Sequence, residues 1–138
     1  MKILIVNGPN MNMLGKREPQ LYGSGTYDDL CRLIEDEAAR LGVTVEFFQS
    51  NHEGALIDAI QQTDADGIVL NAAAYTHTSI ALADTVKAVA IPTVEVHITD
   101  PDQREDYRRI SYIREACIGC VKGKGFQGYL EAMRMLHL

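Results

Sequence analysis

The sequence lacks any apolar run of the roughly 20 residues that a membrane-spanning helix needs. After Met1-Lys2 the chain enters a four-residue apolar run directly, without the longer apolar segment of a secretory leader. Cysteine is also scarce, because Cys31, Cys117 and Cys120 are the three present. An odd number of cysteines in a chain with no export signal favours reduced thiols over a disulfide framework. We therefore expect a cytoplasmic protein with no membrane partner.

Positive charge is in deficit, with 13 Lys and Arg residues against 19 Asp and Glu residues and a formal net charge of −6. Proteins that bind nucleic acid or anionic membranes concentrate basic residues on one face, so we expect no nucleic-acid partner. The sequence also has no internal repeat, linker or low-complexity tract. Its 138 residues suit a single domain, residues 1–138, with a buried core.

Five short apolar runs alternate with amphipathic segments along the chain. We predict strands at residues 3–6, 44–49, 67–70, 93–98 and about 117–121. The predicted helices are one between Thr26 and Gly42, one after Ser50, and two at residues 80–90 and 126–135. The charged stretch at residues 100–109 is predicted to hold a short helix.

Two helix starts carry the spacing of a capping box, in which a hydroxyl and an acidic side chain three residues later bond each other's backbone N–H. Thr26 and Asp29 form the first pair, and Ser50 and Glu53 form the second. Gly42 is predicted to end the first of these helices.

Strands that alternate with helices predict an α/β fold, in which a parallel sheet is covered on both faces. We predict a flavodoxin-like three-layer sandwich with strand order 2-1-3-4-5. This order brings the ends of strands one, three and four together at a topological switch point, where open sheets bind ligands. The polar residues that follow those strands are Asn10, Arg17, Tyr22, Asn71, His77 and His97.

A long loop, residues 7–23, follows the first strand and carries Arg17 and Tyr22. A guanidinium close to a phenol stabilises the phenolate, which lowers a pKa that starts near about 10. Tyr22 is therefore a candidate base. The alternative is a tyrosine that covers a hydrophobic edge and donates one hydrogen bond.

The two histidines near the predicted strand ends have different settings. His97 ends strand four and is a candidate for acid–base catalysis, the alternative being a buried histidine with a structural partner. His77 precedes the helix that starts at Ile80, so it caps that helix or binds a ligand at its N-terminus. Two histidines without a third ligand at recognisable spacing do not predict a metal site.

Two further motifs lie at positions in the chain that do not suit their usual functions. Residues 123–128 fit the G-x-G-x-x-G pattern, but they follow the last strand, and the chain ends before the acidic residue that would bind a ribose. We predict a tight turn there. Cys117 and Cys120 have C-x-x-C spacing inside a predicted strand, where positions three apart face opposite sides, so packing is favoured over a redox or zinc role.

Six segments together resemble the type II 3-dehydroquinate dehydratase family, over essentially the whole chain and in the right order. They are Asn7-Gly8-Pro9-Asn10-x-Asn12, Gly15-x-Arg17-Glu18-Pro19-x-x-Tyr22-Gly23, Phe48-Gln49-Ser50-Asn51-His52-Glu53-Gly54, Ala74-Tyr75-Thr76-His77-Thr78-Ser79, Glu95-Val96-His97-Ile98 and Gly125-x-x-Gly128-Tyr129. The resemblance implies a flavodoxin-like fold, no cofactor or metal, and a dodecamer built from trimers.

The resemblance also implies a reaction, the anti elimination of water from 3-dehydroquinate through an enolate to 3-dehydroshikimate, in the shikimate or quinate pathway. It assigns Tyr22 as the base and Arg17 as its activator. Asn10 would stabilise the enolate through a water, and His97 would protonate the departing hydroxyl. A non-catalytic flavodoxin-like binding module is the alternative, while a small hydrolase lacks a recognisable nucleophile elbow.

The substrate contacts implied by the resemblance come from several loops. The substrate carboxylate would be held by Asn71 and by the backbone N–H groups of Ile98 and Thr99. The ring hydroxyls would be bound by His77 and Arg108. The remaining contact, from Asp84, would come from a neighbouring subunit.

Three residues depart from the family pattern beside the expected site. Thr99 stands where serine is usual, which leaves its backbone N–H donor in place. Ala72 stands where proline is usual, which leaves the orientation of Asn71 open. Asp100 stands where asparagine is usual, and its negative charge would favour a protonated His97 if the two side chains are close.

Overall fold

The computed structural model describes residues 1–16, 20 and 25–138. Within them, one five-stranded sheet has the order β2-β1-β3-β4-β5, and every pair of neighbouring strands is parallel. The strands are β1 (Lys2–Asn7), β2 (Thr44–Gln49), β3 (Gly67–Asn71), β4 (Thr93–His97) and β5 (Gly119–Lys122). The predicted fold class and strand order are confirmed.

Helices cover both faces of this sheet. They are α1 (Tyr27–Leu41), α2 (Glu53–Gln62), α3 (Ile80–Val89) and α4 (Gln127–His137). Helices α1 and α4 pack together on one face, and α2 and α3 pack together on the other. No helix in the described part of the chain is long and apolar enough to cross a membrane.

The core has two halves because successive side chains of a strand point to opposite faces. Ile3 and Ile5 of β1 belong to the cluster under α1 and α4, whereas Leu4 and Val6 belong to the cluster under α2 and α3. All four side chains are at least 96% buried. A strand that is buried on both faces reads as a continuous apolar run, which is why β1 was predictable.

The first predicted capping box is confirmed and the second is wrong. Thr26 and Asp29 bond each other's backbone N–H groups at the start of α1, and Gly42 ends that helix in the left-handed conformation at φ 73°. At α2 the N-cap is His52, which makes no side-chain cap bond. The Ser50 hydroxyl accepts from the His52 N–H instead, and the Glu53 carboxylate is engaged by a hydroxyl of α3's N-cap, Ser79.

The C-terminal third differs from the prediction mainly at element ends. Residues 100–109 hold two 3-10 turns, Pro101–Gln103 and Asp106–Arg108, in place of one short helix. Strand β5 starts at Gly119, so Cys117 lies before it. In the predicted tight turn Gly123 has φ 77°, and a Cβ at Gly128 would lie 3.4 Å from Val121, so the glycines permit a turn and close packing.

Candidate active site

A cavity opens where β1, β3 and β4 end, at the switch point of the sheet. The structure brings most of the predicted site residues together there. Those that line the cavity are Asn10, Asn71, His77, His97, Ile98, Thr99 and Arg108. Two other lining residues are Met11 and Arg104.

Three predicted site residues are not placed in this cavity. Arg17 and Tyr22 lie outside the described residues, so their roles stay predictions. Asp84 is exposed on α3 and does not line the cavity of its own chain.

His97 is the last residue of β4 and is buried. Its Nε2 lies 2.5 Å from Oε2 of Glu95, two residues earlier on the same face of the strand. An ionised carboxylate only accepts hydrogen bonds, so Nε2 carries the proton. Nδ1 is then the atom through which His97 can exchange a proton with a ligand in the cavity.

Glu95 is fully buried and has three side-chain partners. Besides His97, the Ser111 hydroxyl donates to it at 2.8 Å and Nε of Arg114 donates at 3.0 Å. Burial opposes ionisation of Glu95, but these hydrogen bonds outweigh it and hold the pKa of the carboxyl well below its usual range. Glu95 therefore stays anionic, orients the His97 ring and compensates the positive charge of its protonated form.

Sequence reasoning quoted Glu95 in a motif without a role. Its position two residues before His97 on a strand was the available signal, because the two side chains share a face. Nothing local pointed to Ser111 or Arg114, which are 16 and 19 residues away in sequence.

In His77 the proton is on the other ring nitrogen, Nδ1. Its Nδ1 lies 2.7 Å from the Ile110 carbonyl oxygen, which can only accept, so Nδ1 carries the proton. Burial lowers the pKa of His77 below its ordinary value, so the ring is neutral at neutral pH. Nε2 is then an acceptor, which suits a ligand hydroxyl.

Asn71 ends β3 and is 4% exposed. Its Oδ1 accepts from the Ala73 N–H at 3.0 Å, and its Nδ2 donates to the Tyr129 hydroxyl at 2.9 Å. These two bonds fix the amide although Ala72 stands in place of a proline.

Asn10 has a left-handed backbone, with φ 69°, at the start of the 3-10 turn Met11–Met13. Its backbone N–H donates to Oδ1 of Asn51 at 3.0 Å. Gly8 lies just before it, and a Cβ there would be 2.4 Å from the Ala72 carbonyl oxygen. The absence of a side chain at Gly8 therefore allows the ends of β1 and β3 to approach and sets the place of Asn10.

Two arginines give the cavity positive charge. Nε of Arg108 donates to Glu105 at 2.8 Å, and its guanidinium lies 5.3 Å from the centre of the Tyr107 ring. The side chain of Arg104 is 12% exposed and also lines the cavity. Two guanidinium groups at one site suit a ligand that carries a carboxylate and hydroxyls.

The effect of Asp100 on His97 stays a prediction. The Asp100 carboxylate accepts from the Asp102 N–H at 3.0 Å and lies 3.8 Å from Nζ of Lys122. The added charge is therefore paired with a lysine.

Neither a metal nor a redox pair is indicated in the part of the chain that the structure describes. No group of three or more His, Cys, Asp or Glu residues there could hold a metal ion. Cys117 and Cys120 are free thiols. Burial raises the pKa of Cys117 to about 12 and also raises that of Cys120, so both thiols stay protonated and unreactive at neutral pH.

Comparisons with known proteins agree over the whole chain. The family model described as dehydroquinase class II matches residues 1–137. A 3-dehydroquinate dehydratase of Clostridium acetobutylicum is 52% identical over 138 residues, covering 99% of this chain and 96% of the relative. A 3-dehydroquinate dehydratase of Thermotoga neapolitana is 53% identical over 133 residues, covering 96% and 92%. The type II dehydroquinase structure from Butyrivibrio crossotus matches with a TM-score of 0.98 at 44% identity, covering 100% of this chain and 98% of that one.

Proposed function

This chain belongs to the dehydroquinase class II family, and we propose that it converts 3-dehydroquinate to 3-dehydroshikimate by a stepwise anti elimination of water through an enolate. The observation that carries the mechanism is the pair of histidines in one cavity, held in opposite senses. His97 bonds the anionic Glu95 through Nε2, which leaves Nδ1 for proton exchange with a ligand. The neutral His77 ring offers Nε2 as a hydrogen-bond acceptor. The first arrangement suits a general acid and the second suits a ligand for hydroxyl groups.

The first step is removal of the proton next to the ketone, for which Tyr22 is the proposed base. Ionising an unshifted tyrosine at neutral pH costs about 4 kcal/mol, at about 1.4 kcal/mol for each pKa unit. A guanidinium close to the phenolate offsets much of this cost, and Arg17 is the proposed source. As the C–H bond breaks, its electron pair forms the C=C bond of the enolate and the carbonyl π pair moves onto the oxygen, where Asn10 stabilises the negative charge through a water.

In the second step the enolate re-forms the ketone and expels the hydroxyl group. The electron pair forms the new C=C bond while the C–O bond breaks, and His97 supplies a proton so that water leaves. An acid is needed here because hydroxide is a poor leaving group. The two groups act on opposite faces of the ring, which makes the elimination anti.

Substrate binding uses the polar lining of the cavity. Asn71 and the backbone N–H groups of Ile98 and Thr99 hold the carboxylate. His77 and Arg108 bind ring hydroxyls. No cofactor or metal takes part, because elimination through an enolate of the substrate ketone needs only a base, an acid and a group that stabilises the oxyanion.

The active form is a homo-oligomer, a dodecamer built from four trimers, in which Asp84 reaches the cavity of a neighbouring subunit. Exposed apolar side chains beside the cavity support this proposal. They include Tyr107 at 65%, Ile110 at 54% and Ile80 at 58% exposure. Tyr107 and Ile110 lie next to the cavity residues Arg108 and His77, and Ile80 lies at the start of α3. A subunit that covered them would lie beside the site. The same reaction serves aromatic biosynthesis or quinate breakdown in the cytoplasm.

The test is the rise in absorbance of the conjugated enone when purified protein meets 3-dehydroquinate in the presence of EDTA. We expect the wild type to turn over and Tyr22→Phe to lose nearly all activity, because a general base contributes about 10²–10⁴-fold. Tyr112→Phe, which removes a hydroxyl from a partly exposed tyrosine, is the matched control and should stay active.

No absorbance rise from folded wild-type protein would overturn the proposed reaction. Loss of activity with EDTA that returns with added metal would overturn metal independence. Full activity in Tyr22→Phe would remove Tyr22 as the base.

A further inference from the structure

Tyr129 lies on α4 and is completely buried beneath the cavity. Its hydroxyl donates to Oδ1 of Asn7 at 2.5 Å and accepts from Nδ2 of Asn71 at 2.9 Å. Asn7 and Asn71 are register partners at the ends of β1 and β3. One phenol therefore joins the last residues of two central strands, 122 and 58 residues away in sequence.

The donors and acceptors in these hydrogen bonds follow from the single proton of the Tyr129 hydroxyl. Burial raises the pKa of Tyr129 far above its ordinary value, so the hydroxyl keeps its one proton. That proton goes to Asn7, which leaves only lone pairs for Asn71. Asn71 must therefore turn an N–H toward Tyr129, and its Oδ1 turns toward the Ala73 N–H.

The second N–H of the Asn71 amide then has a defined place. It points to the Met11 sulfur at 3.6 Å, and both residues line the cavity. A thioether is a weak acceptor, so a carboxylate that enters the cavity can replace it at little cost. With the amide reversed, the same position would present an oxygen, which repels a carboxylate.

We propose that Tyr129 is a positioning residue, whose hydroxyl makes Asn71 present an N–H and not its carbonyl oxygen to the substrate carboxylate. This inference rests on the proposed function, in which Asn71 holds that carboxylate. Tyr129 touches no substrate and acts through Asn71 alone.

The kinetic test is Tyr129→Phe, which keeps the buried ring and removes the hydroxyl. We expect KM for 3-dehydroquinate to rise about three- to tenfold with kcat nearly unchanged, as for the loss of one hydrogen bond that substrate and transition state use equally. The matched control is Tyr27→Phe. Its hydroxyl accepts from Asn7 at 3.3 Å, so this variant disturbs Asn7 without a direct effect on Asn71, and its KM should stay near that of the wild type.

A binding measurement separates positioning from a general structural effect. Calorimetry with 3-dehydroshikimate and with its methyl ester gives the preference of each variant for a charged carboxylate. We expect this preference to shrink about three- to tenfold in Tyr129→Phe, because affinity for the acid falls while affinity for the ester does not. Tyr27→Phe should keep the preference of the wild type.

A second variant covers the case in which Tyr129→Phe does not fold. Asn7→Ala removes the acceptor of the Tyr129 proton, so the hydroxyl can donate to Asn71 and reverse its amide. The preference for the acid should then shrink at least as much.

Each outcome has a distinct meaning. An unchanged preference in the folded Tyr129 and Asn7 variants would overturn the role of Tyr129. A wild type that prefers the acid but does not turn over 3-dehydroquinate would overturn the proposed reaction alone, since the binding ratios still decide on Tyr129. A wild type with no preference would overturn the role of Asn71 and this inference with it.

Discussion

Glu95 and His97 form a buried polar pair beside the cavity, in which Nε2 of His97 lies 2.5 Å from the Glu95 carboxylate. Alternate residues of β4 share a face, so a glutamate two positions before a histidine reaches its ring. Burial would make an isolated carboxylate neutral, and the hydrogen bonds from His97, Arg114 and Ser111 prevent that. At the scale of single residues, the site depends on the hydrogen bonds that His97, Ser111 and Arg114 donate to the Glu95 carboxylate.

Glu95→Gln keeps the shape and removes the charge, so we expect kcat to fall at least about tenfold, because the proposed general acid His97 loses its anionic partner. KM should change little, because Glu95 does not line the cavity. Steady-state kinetics on the purified variant decide this. Glu35→Gln, at an exposed position of α1, is the control, and equal kcat values in all three proteins would contradict the role.

Glu95 also makes stability depend on pH. Its folded pKa is below the ordinary value of 4.5, so its stabilising contribution is fully present above that value and is lost as the pH falls below it. The difference in free energy of unfolding between wild type and Glu95→Gln should therefore shrink below about pH 4.5. Urea denaturation at several pH values measures it, and a difference that does not vary with pH would refute the expectation.

At the scale of elements, the chain just after β1 passes close to the end of β3, beside the cavity. The Gly8 N–H donates to the Asn71 carbonyl at 2.8 Å, and a Cβ at Gly8 would meet the Ala72 carbonyl oxygen at 2.4 Å. Backbone atoms cannot move aside as a flexible side chain can. A glycine is therefore required where the two strands leave the sheet.

Gly8→Ala should lower the free energy of unfolding by about 1–3 kcal/mol, the usual cost of overpacking. It should also lower activity, because Asn10 follows two residues later and lines the cavity. Gly54→Ala is the matched control. Gly54 lies in α2 with no atom within 4 Å of an added Cβ, so alanine there should be neutral or stabilise by about 0.5–1 kcal/mol. Urea denaturation of both variants compares them, and equal stabilities would contradict the close approach.

At the scale of the whole molecule, Asp84 is the predicted site residue that, among the described residues, does not line the cavity of its own chain. Asp84 is exposed on α3, and so are the apolar side chains of Ile80, Tyr107 and Ile110, which lie near cavity residues in the sequence. Apolar side chains of this size beside a site are typical of a subunit interface. The proposed homo-oligomer explains both observations.

Subunit mixing tests this proposal. Tyr22→Phe and Asp84→Ala should each be poorly active alone. If Asp84 serves a neighbouring subunit, unfolding and refolding the two together at equal concentration should restore wild-type sites in about a quarter of positions, since symmetric oligomers assemble at random from equivalent chains. Activity of the mixture that equals the mean of the two variants would contradict a shared site, and light scattering of the wild type reports the size of the oligomer.

Local patterns were sufficient for the fold class, because short apolar runs alternate with helical segments along the chain. The strand order was predicted because it brings the polar ends of strands one, three and four together, and the structure confirms it. The same order placed Asn71, His77 and His97 at one cavity, because the ends of neighbouring parallel strands share an edge.

Only the tertiary structure decided the hydrogen-bond partners. Ser79 engages Glu53 and displaces its capping box, the Ile110 carbonyl sets the tautomer of His77, and Tyr129 orients Asn71. These partners are separated by 26, 33 and 58 residues, so no local spacing reveals them. Periodicity and turn chemistry act within a few residues, and they determine elements and their order. The partner of a buried polar group is whichever donor or acceptor packing brings near, and that depends on the whole folded chain.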